Sequence, residues 1–127
     1  MRAILLCGGL GTRLRPVIGE KQKAMAYVKG KPFLHVLIDY LKTQSISEFI
    51  FACGYKKEEI EEYFADGKDF DIKVEYAVEK EPLGTGGAIK NCLPYIKEEM
   101  IYVLNADTLF KIEYKKLYDN MIKNNTD

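Results

Sequence analysis

Four short segments, RAILLC (2–7), SEFIFAC (47–53), IKVEYAV (72–78) and MIYVLNA (100–106), are rich in β-branched and aromatic residues and bounded by turn signals, the pattern of strands. Between them lie PFLHVLIDYLKTQ (32–44), KKEEIEEYFAD (56–66) and GTGGAIKNCLPYI (84–96), which carry helical spacing or helix-start chemistry. In the first of these, Phe33, Leu34, Leu37, Ile38 and Leu41 recur at three and four residues and make one apolar face. The order βαβαβαβ constrains the fold more than any other feature. It implies a mostly parallel sheet covered on both faces, with ligands held at the carboxyl ends of the strands. The last segment, EYKKLYDNMIKNNTD, reads as a further helix with Leu117 and Met121 or Ile122 inward.

Such a sheet needs one sizeable core, and 127 residues with 47% hydrophobic and 30% charged side chains are enough for a single globular domain. Lys and Arg together number 19, as do Asp and Glu, so no surplus of positive charge supports nucleic-acid binding. Any anion site must be local. Cys7, Cys53 and Cys92 are three in number without CxxC spacing, which argues against a disulfide framework or a zinc knuckle and for buried thiols in a reducing cytoplasm. Gly8 and Gly9 interrupt the first apolar run too early for a signal peptide, and no run is long enough to span a membrane.

The local anion site is expected in CGGLGTRLRP, residues 7–16, directly after the first strand. Its glycines let a ligand approach the main chain, and successive N–H groups in such a turn form a concave nest for phosphate oxygens. Two familiar phosphate loops do not fit. No lysine follows Gly11 at the P-loop spacing, and the dinucleotide fingerprint read from Gly9 ends on Leu14. The second strand ends in Cys53 and Gly54 rather than an acidic residue, which also disfavours a dinucleotide oxidoreductase. Taken alone, the loop is either a phosphate site or a tight turn with solvated arginines.

LCGGLGTRLRP, the lysine of KQKAM, EKEPLGTGGAI and VLNADTLF together resemble the sugar-1-phosphate nucleotidyltransferase family, from Met1 to about Phe110. Within it the resemblance points to the guanylyltransferases of heptose 1-phosphates. The resemblance implies a Rossmann-like αβα sandwich and transfer of a nucleoside monophosphate, from GTP, to a sugar 1-phosphate of heptose or mannose type, with release of pyrophosphate. It implies that Arg13 holds the triphosphate, that Lys23 sits between the α-phosphate and the sugar phosphate, with Lys21 two residues away as its rival if the register is shifted, and that Asp107 holds Mg²⁺. The nucleotide-binding set it implies is Leu6, Gly8, Gly9, Gly11, Thr12 and Arg13, with Glu79, Pro82, Leu83, Gly84 and Thr85 from the second glycine turn. Glu79 stands where thymidylyl-transferring members carry glutamine, and a carboxylate only accepts hydrogen bonds, which suits the adjacent N1–H and N2 amino donors of guanine.

The chain also departs from the family pattern. Around the lysine that pattern is like PKPM, where this chain has Gln22, Lys23, Ala24 and Met25, and Tyr27 replaces a further common proline. Members of the family are considerably longer. The chain is therefore expected to be the amino-terminal, nucleotide-binding portion of such an enzyme, catalytically poor alone and prone to self-association. The other reading is a nucleotide-binding module completed by a partner or a second copy.

Overall fold

The computed structural model describes residues 1–8 and 22–125. Its elements run β1 (Arg2–Leu6), β2 (Tyr27–Val28), β3 (Lys31–Pro32), α1 (Phe33–Thr43), β4 (Glu48–Cys53), α2 (Lys57–Phe64), β5 (Lys73–Val78), α3 (Gly84–Cys92), β6 (Tyr102–Asn105) and α4 (Tyr114–Asn124). The main sheet has the order β5-β4-β1-β6, and every neighbouring pair is parallel. The strands stand where their composition places them. Phe49 to Cys53 are all buried, as expected for a central strand covered on both faces.

Alternation of side chains across the pleat divides the core in two. On one face, Ala3, Leu5, Phe49 and Phe51 pack with Leu34, Leu37, Ile38 and Leu41 of α1 and Ile60 and Phe64 of α2. On the other, Ile4, Ile50, Ala52 and Ala77 pack with Ala88 and Cys92 of α3. Each fully buried aliphatic side chain in these layers contributes roughly 1.5–3 kcal/mol relative to exposure. Cys7, Cys53 and Cys92 are all buried free thiols.

Two features differ from the sequence expectation. β2 and β3 form a two-stranded antiparallel hairpin ahead of α1, too short to show a period of two. In α4 the buried residue is Tyr114, whereas Leu117 and Ile122 are 44% and 57% exposed. The reason is a polar anchor. The Tyr102 hydroxyl donates to the Tyr114 carbonyl at 2.6 Å, the two rings meet edge to face, and the Tyr40 hydroxyl donates to the Ile112 carbonyl at 3.1 Å. These bonds fix the first turn of α4 to the domain and leave Leu117 and Ile122 outward, while Met121, the other residue expected inward, is half-buried.

Candidate active site at the carboxyl edge of the sheet

β1 lies between β4 on one side and β6 on the other, so the chain winds away from it in both directions. A crevice opens where the order reverses, outside the carboxyl ends of the strands. Here a cleft of about 440 Å³ is lined by residues following β1, β5 and β6, by the turn at Lys23 and by the start of α3. Pairing continues one residue past each strand end, with Cys7 N–H donating to Ala52 O at 2.8 Å, Glu79 N–H to Cys53 O at 2.8 Å and Ala106 N–H to Leu6 O at 3.2 Å. The cleft residues therefore start from a rigid edge.

Lys23 and Asp107 meet across it. Lys23 Nζ lies 2.6 Å from Asp107 Oδ2, and both side chains are about one-third exposed, at 37% and 36%. The hydrogen bond from Lys23 holds the Asp107 carboxyl below its usual range, helped by the Thr108 hydroxyl that donates to Oδ1 at 3.0 Å. Asp107 is thus ionised at neutral pH. Among the described residues no group of three or more His, Cys, Asp or Glu side chains could share a metal ion. A single carboxylate of this kind still fits Mg²⁺, which is often held by one or two protein carboxylates together with substrate phosphates.

On the opposite wall, Glu79 points into the cleft while Lys80 and Glu81 face solvent. Its carboxylate packs on Gly8, where an added Cβ would lie 3.0 Å from Glu79 Oε1, and its stem packs on Gly54. Leu83 N–H donates to Glu79 Oε2 at 3.4 Å. Pro82, Gly84 and Thr85 line the cleft, whereas the Leu83 side chain lies outside the lining and is 41% exposed. Gly84 has φ +70°, a left-handed conformation that glycine adopts freely, and a Cβ there would meet nothing within 4 Å. No side chain caps α3 at Leu83, so the helix opens toward the cleft uncapped.

Of the residues assigned from sequence, the structure brings Leu6, Gly8, Lys23, Glu79, Pro82, Gly84, Thr85 and Asp107 to one cleft. Gly9, Gly11, Thr12 and Arg13 lie outside the described residues, as does Lys21. Besides Cys7, Ala24, Ala88 and Ala106, two polar residues of the lining were given no role by the sequence reading. Asn105 ends β6, and Gln22, only 1% exposed, joins three segments below the cleft floor. The sequence marked Gln22 only as a departure from the PKPM-like pattern, which says that a proline is missing but not what the glutamine bonds to.

Comparison with known proteins agrees with this geometry. The chain matches the Nucleotidyl transferase family over residues 2–127. It is 54% identical to D-glycero-alpha-D-manno-heptose 1-phosphate guanylyltransferase of Campylobacter jejuni subsp. jejuni serotype O:2, over 97% of this chain and 55% of the relative. It is 46% identical to the protein of the same name from Aneurinibacillus thermoaerophilus, over 96% of this chain and 53% of that one. The solved structure of HddC from Yersinia pseudotuberculosis complexed with GMP-PN superposes with a TM-score of 0.86 at 40% identity, covering 95% of this chain and 54% of that one. The chain spans about half the length of the curated relatives it matches. A parallel sheet with its cleft at the switch point, and a family match along almost the whole sequence, make this chain a member of the nucleotidyl transferase family.

Proposed function

We propose that this chain supplies the nucleotide-binding portion of a guanylyltransferase that transfers GMP from GTP to a sugar 1-phosphate of heptose or mannose type, with Mg²⁺, in the cytoplasm. The observation that carries this reading is the convergence of Lys23, Asp107, Glu79 and the α3 turn on one cleft. The names of its relatives support the choice of nucleotide and sugar. Buried free thiols are compatible with a reducing compartment.

The reaction joins a sugar-phosphate oxygen to the α-phosphorus while the bond from that phosphorus to the β-phosphate oxygen breaks and pyrophosphate leaves. Both reactants are anions, so positioning and charge compensation carry the catalysis. Lys23 offers its ammonium to the α-phosphate and the incoming sugar phosphate, exchanging Asp107 for them. Asp107, released from Lys23, is the carboxylate that would hold Mg²⁺, which when bound supplies charge neutralisation at the phosphates. Arg13 adds a bidentate guanidinium for the triphosphate. Gly8 N–H and the open start of α3 offer backbone donors to phosphate and ribose oxygens. Glu79 reads the base, accepting from guanine N1–H and the N2 amino group, whereas a pyrimidine or adenine would turn an acceptor toward it.

The test has two arms. Given GTP, Mg²⁺ and heptose or mannose 1-phosphate, the chain releases pyrophosphate; GTP binding without release would favour the binding-module reading instead. In calorimetry with GTP, ATP, CTP, UTP and dTTP the parent prefers GTP, and Glu79→Gln loses about 1–3 kcal/mol of that preference. A pyrimidine preference, or a GTP preference intact in the variant, overturns the role given to Glu79. Self-association is expected through the outward apolar residues Val103, Phe110, Leu117 and Ile122, all at least 40% exposed, and sedimentation at micromolar concentration measures it.

A further inference from the structure

Lys23 stands on a single turn of 3-10 helix, Lys23–Met25, whose other two residues, Ala24 and Met25, are buried. What holds this turn is the side chain that precedes it. The Gln22 carboxamide donates from Nε2 to the Cys7 carbonyl, just past the end of β1, and its Oε1 accepts from Ala24 N–H at 2.6 Å. The main chain of Gln22 is held as well: its N–H donates to Glu59 Oε2 of α2 at 3.0 Å, and its carbonyl accepts from Met25 N–H at 2.9 Å. The carboxamide thus spans from the phosphate-loop strand to the lysine turn while almost entirely excluded from water.

Resting on the reading of Lys23 and Asp107 as the site, we infer that Gln22 is the positioning residue for Lys23, and that Glu59 seats Gln22. The backbone supports this. Gln22 has φ −62° and ψ 130°, values that a proline would impose covalently. Each amide that proline would lack at 22 or 24 is satisfied, Gln22 N–H by Glu59 and Ala24 N–H by Gln22 itself. A buried amide left without its partner is costly, so both bonds are required for the turn to keep its shape. With the turn fixed, the Lys23 side chain leaves from a defined point and reaches Asp107 at 2.6 Å. The Gln22 carboxamide bonds to Cys7 and to Ala24. It acts by setting where the ammonium goes.

The experiment reads the Lys23–Asp107 contact directly. A zero-length carbodiimide joins an ammonium and a carboxylate only when they are in contact, and peptide mass spectrometry counts the product. In the parent chain the Lys23–Asp107 amide forms. In Gln22→Met, equal in length but unable to make either side-chain bond, its yield falls at least about tenfold, the loss expected from even one unmade buried hydrogen bond. Gln22→Glu keeps the acceptor for Ala24 and loses the donor to Cys7, and gives an intermediate yield even if the methionine variant fails to fold. Glu59→Ala lowers the yield and Glu59→Gln restores it. The double variant Gln22→Pro with Ala24→Pro, which imposes the turn without side-chain bonds, recovers the yield that Gln22→Met loses. Ile50→Val, a core change on the opposite face of the sheet from Ala24 and Met25, lowers the melting temperature and leaves the cross-link unchanged, separating position from stability. If Gln22→Met cross-links like the parent, or the double proline does not recover the yield, the inference is overturned. GTP affinity measured on the same variants tests the functional reading separately: unchanged affinity in Lys23→Met defeats that reading while the cross-link still decides the role of Gln22.

Discussion

The two ends of the sheet each join a cation to carboxylates, and they do it in opposite ways. At the amino end, Arg2 is 5% exposed in its side chain; it pairs with Glu75, lies 3.6 Å from Glu98 and donates to the Tyr95 carbonyl at 2.6 Å. Only its Nε is buried without a partner. At the carboxyl end, Lys23 has Asp107, and both are open to solvent. A buried guanidinium with several acceptors is fixed in place and costly to disturb, whereas a half-exposed ammonium with one carboxylate is easily exchanged. The difference teaches which charges hold the fold and which are free to meet a ligand.

The largest effect is expected at the closed end. Arg2→Met should lower unfolding free energy by about 2–3 kcal/mol, less than the roughly 3–5 kcal/mol for breaking a fully buried pair, because Glu75 and Glu98 keep partial access to water. Denaturant titration measures it, and GTP affinity of the folded fraction should not change. Affinity falling in step with stability would break the contrast between the two ends.

Glycines sharpen it next. Gly67, ahead of β5 at the amino end, has φ +89°, and a Cβ would lie 2.7 Å from the Ile72 carbonyl oxygen, so Gly67→Ala should cost about 2 kcal/mol. Gly8→Ala meets only the tip of Glu79, which can turn aside. It should cost less than about 0.5 kcal/mol in stability while blunting the preference for GTP over UTP. Equal losses of stability at the two positions would contradict this.

Lys23→Met should weaken GTP binding about tenfold and leave the melting temperature nearly unchanged, since exposed pairs contribute roughly 0–1 kcal/mol. Calorimetry and thermal denaturation on one sample decide it.

The smallest effect concerns the thiols beneath the cleft. Burial pushes Cys53 up to about 12 and Cys92 to about 11, and raises Cys7 as well. A raised folded value means stability is complete below the ordinary thiol value of 9.0 and is lost as pH rises toward the folded ones. Over the first half unit above pH 9 the loss should stay under about 1 kcal/mol per thiol. Native-state alkylation at pH 8 should be slow at all three cysteines, and rapid labelling of Cys53 would show a more open carboxyl end.

Much of this arrangement was legible in the sequence because it is local or periodic. The strands ending at Leu6, Cys53, Val78 and Asn105, and the apolar faces of α1 and α2, follow from spacing of apolar residues alone. Lys23, Glu79 and Asp107 could be named because each lies in a motif by which the sequence resembles the nucleotidyltransferases, and the strand order carries all three to the same edge. Gln22 could not, since its meaning lies in bonds to Cys7 and Glu59, 15 and 37 residues away, which no pattern encodes. The seating of α4 was misjudged for a similar reason. Leu117 and Ile122 look inward by hydrophobicity, but two tyrosine hydroxyls from elsewhere decide which turn is held.

The placement of β1 has a consequence for synthesis. β1 leaves the ribosome before both strands that flank it, Glu48–Cys53 and Tyr102–Asn105. Ala3 pairs with Phe49 and Tyr102, so both of its neighbours are made after it, the second one long after the first. Until then RAILL is an apolar segment with an unsatisfied edge, the kind that chaperones shield and that pairs wrongly with its copies. The strand made before its neighbours is settled only after them, and the cleft it anchors cannot exist before residue 107 has emerged.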